Sequence, residues 1–209
     1  MGKIIKFLNC KIFVKEGNFF PRIETEFWVK KALKKVKSKA QFLDIFSGTG
    51  CIGIVILKNK KKAKVTFADI DKEAIENIEF NLKLNKIEKN RYSLFLSDIF
   101  ENLGSKKYDY IFANPPYVAK ELLKEVSFEV LFTEKKICWY GGKKGIEILE
   151  KFLEKAKFHL KRGGKIFFEF DFSQKEILEK ILKEKGYKKF KFFKDQFKKW
   201  RFAEILANC

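Results

Sequence analysis

The residues best suited to chemistry stand at 114–117, where an apolar run ends in Asn114-Pro115-Pro116-Tyr117. Proline has no backbone N–H and cannot continue a sheet ladder, so we expect a strand to stop here. Ligands of open α/β sheets bind at the carboxyl ends of strands. The side-chain oxygen of Asn114 and the carbonyl of Pro115 can accept both hydrogens of a planar NH2 group, and Tyr117 can pack against its flat face. The tetrapeptide thus indicates methyl transfer to a weakly nucleophilic NH2. The alternative is a strand end closed by a Pro-Pro turn, with Asn114 as a turn residue.

A second candidate site is the glycine-rich segment at 44–50, which lies between a predicted strand and a predicted helix. Small residues let the backbone approach a ligand closely, and a helix N-terminus offers free N–H groups. Residues 48–53 also match the dinucleotide fingerprint, and Asp69 follows about twenty residues later, where an acid can bind ribose hydroxyls. Taken alone, this loop fits NAD as well as S-adenosylmethionine.

Two further acids favour the methyl donor. Asp44 precedes the loop on the same strand and can face an ammonium group, and Asp98 ends the third predicted strand, where it can reach an adenine amine. Asp98 has a helix cap or a turn as its alternative role, whereas Asp71 is interpreted as a helix N-cap. We therefore predict an S-adenosylmethionine site, formed by Asp44, Phe46, Ser47, Gly48, Thr49, Gly50, Asp69, Asp98, Ile99 and Asn114.

Length and composition point to a single domain over 1–209, with a hairpin extension at 1–20. No apolar run approaches the ~20 residues of a membrane span, and the first residues are too charged for a secretory signal. The cysteines Cys10, Cys51, Cys138 and Cys209 are scattered, so reduced thiols in a cytoplasm are the simplest interpretation. His159 is the only histidine, which argues against histidine-based catalysis and metal binding.

The net charge of +19 favours an anionic partner, with nucleic acid first in line. The lysines are nevertheless spread from Lys3 to Lys199 and are not gathered on one element. A biased coding composition, rich in Lys, Ile, Phe and Asn, would give the same charge. Nucleic acid is therefore one of two open explanations.

Hydrophobic periodicity predicts the elements that position these residues. A β-hairpin at 3–15 is followed by a helix at 22–36. Beyond it, strands are predicted at 41–46, 65–68, 92–96, 110–113, 165–170, 189–194 and 201–206, and helices at 51–58, 71–84, 145–160 and 173–185. Gly163-Gly164 is predicted to form a turn before its strand. The alternation implies a mostly parallel sheet with helices on both faces and an antiparallel pair at the end.

With these residues in hand, the chain resembles the release factor glutamine methyltransferase family over nearly all of its length. Residues 20–26, Phe-Pro-Arg-Ile-Glu-Thr-Glu, look like the family's signature Pro-Arg-x-Glu-Thr-Glu. Residues 140–146 are similar to its Gly-Gly-x-Asp-Gly-Leu segment, and residues 160–164 followed by Glu169 and Gln174 are similar to its late strand. Sister enzymes that act on a ribosomal protein share the Asn-Pro-Pro-Tyr, but the block at 21–26 fits them poorly.

The resemblance implies a Rossmann-like class I methyltransferase, an α/β fold with a seven-stranded, mostly parallel sheet and an antiparallel last strand. S-adenosylmethionine would lie over the carboxyl edge, held by Gly48, Gly50 and Asp69. The implied acceptor is the glutamine amide in the Gly-Gly-Gln loop of a peptide chain release factor. Residues 114–117 would hold this amide, and Phe20 and Pro21 would help to wall the pocket.

The sequence departs from the family in three places. Phe46 stands where the loop usually has its first glycine, and Lys144 stands where aspartate is usual. The helical domain that usually precedes the hairpin does not occur in this sequence. These departures, with the charge, leave open an adenine-amine methyltransferase on RNA or DNA, in which Tyr117 would stack on a flipped base. A non-catalytic RNA-binding module is the third alternative.

Overall fold

A β-hairpin begins the chain, formed by β1 (Gly2–Phe7) and β2 (Cys10–Lys15). The computed structural model describes residues 2–207, so Cys209 lies outside the described residues. The two strands pair antiparallel from Gly2 opposite Lys15 to Phe7 opposite Cys10. A two-residue turn at Leu8-Asn9 joins them, as the predicted hairpin requires.

Strands and helices then alternate along the chain. The elements that follow the hairpin are α1 (Ile23–Leu33), β3 (Gln41–Ile45), α2 (Cys51–Asn59), β4 (Lys64–Asp69), α3 (Lys72–Leu84), β5 (Tyr92–Leu96), β6 (Tyr108–Ala113), β7 (Val118–Ala119), α4 (Phe128–Thr133), β8 (Tyr140–Gly142), α5 (Glu147–Ala156), β9 (Leu160–Glu169), α6 (Lys175–Glu184), β10 (Lys189–Lys194) and β11 (Trp200–Leu206).

Seven strands form the central sheet in the order β10-β11-β9-β6-β3-β4-β5. The strands β9, β6, β3, β4 and β5 are parallel, and β11 is antiparallel to both of its neighbours. The predicted seven-stranded sheet with an antiparallel last strand is therefore confirmed. The strand order reverses beside β3, because β4 lies on one side of it and β6 on the other. Such a switch point opens a crevice at the carboxyl edge.

Two hydrophobic clusters cover the two faces of the sheet. One contains the hairpin and the inner faces of α1, α2 and α3, with Trp28 fully buried. The other contains the inner faces of α5 and α6, with Phe152 and Phe168 fully buried. Both faces of the sheet are therefore sealed from water, and only its edges and loops are open to ligands. Within residues 2–207, none of the helices is long and apolar enough to cross a membrane.

A ladder of asparagines attaches the hairpin to α3. Asn77, Asn81 and Asn85 recur at intervals of four residues and so lie on one helix face. Their side-chain oxygens accept from the backbone N–H groups of Lys15, Phe13 and Lys11, at 3.3, 2.7 and 3.2 Å. Their amide groups return hydrogen bonds to the carbonyls of Phe13 and Lys11. The helix thereby satisfies a strand edge that another strand would otherwise have to cover.

The structure differs from the predicted elements at two places. The predicted turn at Gly163-Gly164 is an irregularity inside β9, because Tyr108 of β6 pairs with Leu160 and Tyr110 pairs with Lys165. Between these two pairs β6 has one residue, 109, and β9 has four, 161–164, so β9 has three extra residues here. For residues 118–142 the hydrophobic periodicity of the sequence predicts no helix or strand. In the structure this segment holds β7, α4 and β8, with β7 and β8 pairing parallel to each other.

Candidate active site

Two cavities adjoin at the carboxyl edge of the sheet, beside the switch point. The first, which we call the loop cavity, has a volume of about 290 Å³ and lies against the loop after β3. The second, the proline cavity, has a volume of about 280 Å³ and lies against residues 114–118 after β6. Phe19, Asn114, Pro116 and Cys138 line both. The two sequence motifs therefore meet in one connected site.

The loop cavity brings together six of the predicted cofactor residues. They are Phe46, Gly48, Asp69, Asp98, Ile99 and Asn114. The other four predicted residues, Asp44, Ser47, Thr49 and Gly50, are buried and do not line it. The sequence pattern thus selects residues that line the cavity together with buried residues that support the loop, and it does not distinguish the two groups.

Asp69 both lines the loop cavity and shapes it. Its Oδ2 accepts from the backbone N–H of Gly48 at 2.8 Å, and its Oδ1 accepts from the N–H of Asp71 at 2.9 Å. Burial raises the pKa of Asp69, while these two hydrogen bonds oppose the rise. One carboxylate at the end of β4 therefore fixes the glycine loop and presents its remaining lone pairs to the cavity.

Asp44 lies under the glycine loop and is fully buried. Its Oδ2 accepts from the N–H of Gly53 at 2.8 Å, whereas its Oδ1 has no hydrogen-bond partner among the described residues. Burial raises the pKa of Asp44 well above its ordinary value, and the charge of Asp69 raises it further. An unpaired buried carboxylate oxygen is costly. A positively charged ligand group bound beside the glycine loop would reduce this cost.

The remaining loop residues have structural contacts. Ser47 donates its hydroxyl to the carbonyl of Asp44 at 2.7 Å and accepts from the N–H of Ala68 at 3.0 Å, which joins β3 to β4. Gly50 is the N-cap of α2 with φ of 75°, and a Cβ there would lie 3.1 Å from the side chain of Ile78. Glycine is therefore required at 50 for conformation and for space. The Thr49 hydroxyl has no partner among the described residues.

Phe46 adopts a backbone conformation that normally selects glycine. Its φ is 59°, in the left-handed region, where a side chain costs roughly 1–2 kcal/mol. Its ring packs edge-on against Phe152 at 5.8 Å and so contributes to the second core cluster. The packing offsets the strain, which explains how phenylalanine can replace the glycine that the family usually has here.

Two acids near the far end of the loop cavity have different surroundings. Asp98 is exposed on the cavity wall, and Ile99 beside it has a left-handed φ of 48°. Asp71 accepts from the N–H of Glu73 at 3.0 Å, as the predicted N-cap of α3 does. Asp71 also accepts from Lys135 at 2.7 Å, which ties α3 to the segment before β8.

The proline cavity is built on Asn114. Its amide nitrogen donates to the Thr25 hydroxyl at 3.3 Å, and Thr25 donates to Glu169 at 2.7 Å. Tyr117 donates its hydroxyl to the other oxygen of Glu169 at 2.9 Å. Burial raises the pKa of Tyr117 well above its usual range, and the charge of Glu169 adds to this. Tyr117 is therefore a neutral, fixed ring beside Asn114.

The backbone after Tyr117 is held by the segment around β8. Gln174 donates to the carbonyls of Tyr117 and Gly145, each at 2.9 Å. Gly145 has φ of 76°, and a Cβ there would lie 2.4 Å from the Tyr117 carbonyl oxygen. Glu147 accepts from the N–H groups of Lys144 and Ile146, at 2.8 and 3.0 Å. A glutamate three residues later thus binds the loop N–H at the position where the family usually has aspartate.

The walls of the proline cavity differ from the predicted ones. Phe20 and Pro21 do not line it; Phe19 and Arg22, their neighbours on either side, do. Phe20 instead packs partly against the first core cluster, and Pro21 is buried. The opposite wall comes from the segment 120–139, through Leu122, Glu125, Val130 and Trp139 among others. No periodicity in the sequence indicates this segment, so these wall residues are missed by sequence reasoning.

The histidine and two of the free cysteines lie outside this site, whereas Cys138 lines both cavities. His159 follows α5 and stacks on Phe100 with ring centres 4.3 Å apart, at the start of β9 and hence away from the carboxyl edge. Among residues 2–207 no cluster of three or more His, Cys, Asp or Glu could hold a metal ion. Cys10, Cys51 and Cys138 are free thiols; burial raises the pKa of Cys10 to about 11 and that of Cys138 to about 12.

Comparison with known proteins finds methyltransferase relatives. The family model described as "Methyltransferase small domain" matches residues 23–137. The release factor glutamine methyltransferase of Aquifex aeolicus is 32% identical over 197 residues, which are 93% of this chain and 66% of that protein. The enzyme of the same name from Streptococcus pneumoniae is 33% identical over 195 residues, 91% of this chain and 68% of that protein. The chain spans about two thirds of the length of these curated relatives.

Solved structures confirm the fold class. The T. thermophilus 16S rRNA N2 G1207 methyltransferase, in complex with AdoMet and guanosine, aligns with a TM-score of 0.73 at 17% identity, over 100% of this chain and 50% of that one. The ribosomal protein L11 methylase of Lactobacillus delbrueckii subsp. bulgaricus aligns with a TM-score of 0.66 at 20% identity, over 92% of this chain and 82% of that one. The sheet has the Rossmann-like class I methyltransferase architecture.

Proposed function

This chain belongs to the release factor glutamine methyltransferase family, and we propose that it transfers a methyl group from S-adenosylmethionine to a glutamine side-chain amide. The acceptor is the glutamine in the Gly-Gly-Gln loop of a peptide chain release factor. The geometry that carries this proposal is the meeting of the loop and proline cavities at Asn114, which lines both. A methyl donor in one cavity and a planar amide in the other would then face each other across Asn114.

The residues around the loop cavity fit S-adenosylmethionine, which supplies an electrophilic methyl group when it is bound. Asp69 would accept from ribose hydroxyls, and Asp98 from an adenine amine. The orphan Oδ1 of Asp44 suits a cationic group, because an unpaired buried carboxylate is stabilised by nearby positive charge. Phe46 and Ile99 would cover apolar parts of the ligand from the cavity wall.

The main contribution of the proline cavity would be to position the acceptor. An amide nitrogen is a poor nucleophile because its lone pair is delocalised into the carbonyl. Holding such a group in line can supply several kcal/mol, within the ~7–11 kcal/mol available from orientation. Asn114 Oδ1 and the Pro115 carbonyl would accept its two hydrogens and stabilise the positive charge that develops on the nitrogen. Tyr117 would hold its flat face, and the proton can leave later to water, so no general base is required.

The surface around the proline cavity supports a protein acceptor over a nucleic acid. Residues 120–139, which form one wall of this cavity, carry four glutamates and four lysines and so have no net charge, in a chain of net charge +19. On the outer side of α4, Phe128 and Phe132 are 77% and 74% exposed, and their tilted rings have centres 4.7 Å apart. An apolar rim that lacks the net positive charge that phosphates require suits a protein loop.

An adenine amine on RNA or DNA is the second candidate, because the net charge of +19 favours an anionic partner elsewhere on the surface. The deciding experiment follows the labelled methyl group of S-adenosylmethionine into purified release factor and into total RNA, side by side. We expect label in the release factor that survives nuclease treatment and disappears when the Gly-Gly-Gln glutamine is changed to alanine. If the label appears only in adenine, the acceptor is a nucleic acid and not the release factor. Binding affinity should then fall by ~10³–10⁵ between 50 and 200 mM salt for six to ten phosphate contacts.

A further inference from the structure

The orientation of the Asn114 side-chain amide decides whether an NH2 group can donate a hydrogen bond to it in the proline cavity. An asparagine side chain ends in an oxygen, which accepts, and an NH2 group, which donates, and the two are nearly equal in size. If the amide were rotated by half a turn, its NH2 would face the NH2 of the acceptor, and two donors would oppose each other. Some neighbour must therefore select one orientation.

Thr25 makes this selection through the direction of its hydroxyl. The Asn114 amide nitrogen lies 3.3 Å from Thr25 Oγ1, which in turn lies 2.7 Å from Glu169 Oε2. A hydroxyl has a single hydrogen, and Thr25 gives it to Glu169. Only lone pairs of Thr25 are left for Asn114. The NH2 of Asn114 must therefore face Thr25, which turns Oδ1 away from it and toward the cavities.

Glu169 fixes the direction of the Thr25 hydroxyl. The same Oε2 accepts from the indole N–H of Trp28 at 2.6 Å, and an indole nitrogen can only donate. Oε2 accepts when Glu169 is ionised, and it also accepts when the carboxyl proton is on Oε1, because in both states Oε2 has no hydrogen of its own to donate. Burial raises the pKa of Glu169, and the hydrogen bonds of Thr25 and Trp28 and the charge of Arg201 oppose the rise. The direction of the Thr25 hydrogen bond is the same in both states.

The second oxygen of Glu169 holds Tyr117 at 2.9 Å. One fully buried carboxylate at the end of β9 thus fixes the first and the last residue of the Asn-Pro-Pro-Tyr motif. The first is held through Thr25 and the last directly. A buried carboxyl group is expensive unless all its lone pairs are used, and here three donors converge on it.

We propose that Thr25 and Glu169 are positioning residues that set the Asn114 amide with its oxygen toward the acceptor NH2. This inference rests on the proposed transfer to an NH2 group. It gives a chemical reason for the threonine inside the block at 20–26, which lies in α1 and touches neither cavity.

The test compares Thr25→Val, which keeps the shape and removes the hydroxyl, with Thr25→Ser, which keeps the hydroxyl. Turnover is measured on whichever acceptor the wild type labels, with cofactor affinity measured separately. We expect Thr25→Ser to stay within about threefold of wild type. Thr25→Val should lower kcat about tenfold to a hundredfold, below the loss for a whole oxyanion-hole donor, with cofactor affinity and the KM of the acceptor unchanged. Turnover of Thr25→Val equal to that of Thr25→Ser would overturn the proposal.

Two further measurements separate positioning from a general structural effect. In an Asn114→Ala background, Thr25→Val should cost no more than about a further twofold, because the group that it orients is gone. An equal loss in both backgrounds would contradict the proposal. The side-chain NH2 signals of Asn114 in 15N-labelled protein should change in Thr25→Val and not in Thr25→Ser; unchanged signals in Thr25→Val would also overturn it.

The signals are read without any acceptor, so they test the orientation even if the wild type methylates neither release factor nor RNA. That result would contradict the proposed function alone. If Thr25→Val does not fold, as judged by its melting temperature, Thr25→Ala removes the same hydroxyl and takes its place in each comparison.

Discussion

Arg22 and Glu134, 112 residues apart in the sequence, form an ion pair that joins the start of α1 to the far wall of the proline cavity. The Glu134 side chain is only 2% exposed, and its Oε1 also accepts from the N–H of Phe20 at 3.3 Å. Burial raises the pKa of Glu134, while Arg22 opposes the rise. The arginine of the family signature therefore anchors the segment 120–139, which carries the apolar rim.

We expect Arg22→Met to destabilise the protein by about 2–3 kcal/mol, because it leaves Glu134 buried without its partner. This is less than the loss of a wholly buried pair, since the Arg22 side chain is 31% exposed. The free energy of unfolding in urea gives the value, and Glu134→Gln in the same chain should recover part of it. Lys83→Met is the control, because Lys83 and its partner Glu79 are exposed and should contribute less than about 1 kcal/mol. If Arg22→Met and Lys83→Met lower the free energy of unfolding equally, the buried ion pair of Arg22 stabilises the protein no more than an exposed one.

The sequence predicts most of the fold because the signals for it are local. Alternating strand and helix periods, the hairpin turn and the prolines after β6 each depend on neighbouring residues. The same holds for the motifs, since both lie where strands end. Locality also explains the position of Asp71, which caps the helix that begins beside it.

The parts that sequence reasoning misses depend on tertiary contacts. Glu169 acts on Thr25 across 144 residues, and no local pattern connects them. The wall formed by residues 120–139 has no sequence period and is held by distant partners such as Arg22. The misplaced wall residues Phe20 and Pro21 differ from the observed Phe19 and Arg22 by one position, because the facing of each side chain depends on how the turn before α1 packs.

Asp69→Ala should weaken the binding of S-adenosylmethionine by at least the ~1.5–3 kcal/mol of hydrogen bonds to a charged group. The carboxylate also holds the N–H of Gly48, so its removal should loosen the loop as well. Titration calorimetry measures the affinity. Asp109→Asn is the matched control: Asp109 lies near the start of β6, at the opposite edge of the sheet, and lines neither cavity, so the affinity should hardly change. Unchanged affinity in Asp69→Ala would remove Asp69 from the cofactor site.

Asn114→Ala should lower kcat by one to a few powers of ten, on the order of one oxyanion-hole donor. The reason is that Asn114 Oδ1 is assigned to the acceptor NH2 and only secondarily to the cofactor. Calorimetry with S-adenosylmethionine should therefore give an affinity close to that of wild type. A turnover rate near the wild-type value would mean that the acceptor is held by other groups.

Asp44→Asn should change how stability depends on pH in the cofactor-free protein. Burial raises the pKa of Asp44 above its unfolded value of about 3.9, so in the window between the two values the folded state binds more protons. The free energy of unfolding therefore falls as pH rises through that window. The stabilisation from proton binding at Asp44 is fully present only below the unfolded pKa. Asparagine removes this titration, so the stability of the variant relative to wild type should increase with pH. Urea unfolding from pH 4 to 8 measures it; a difference that is constant with pH would contradict the burial effect.

Phe128→Ser with Phe132→Ser should raise the KM for a release factor while leaving kcat and cofactor affinity close to wild type. Both rings are largely exposed on the rim of the proline cavity, and neither lines the cavities, so their removal should affect only the docking of a protein surface. Truncating an aromatic residue that is an interface hot spot costs about 2 kcal/mol or more, which corresponds to roughly a thirtyfold or greater rise in KM. Phe158→Ser is the control, because Phe158 is 65% exposed and follows α5 near the start of β9, away from the carboxyl edge. If the rim pair and Phe158 change the KM equally, the apolar rim has no part in recognising the acceptor.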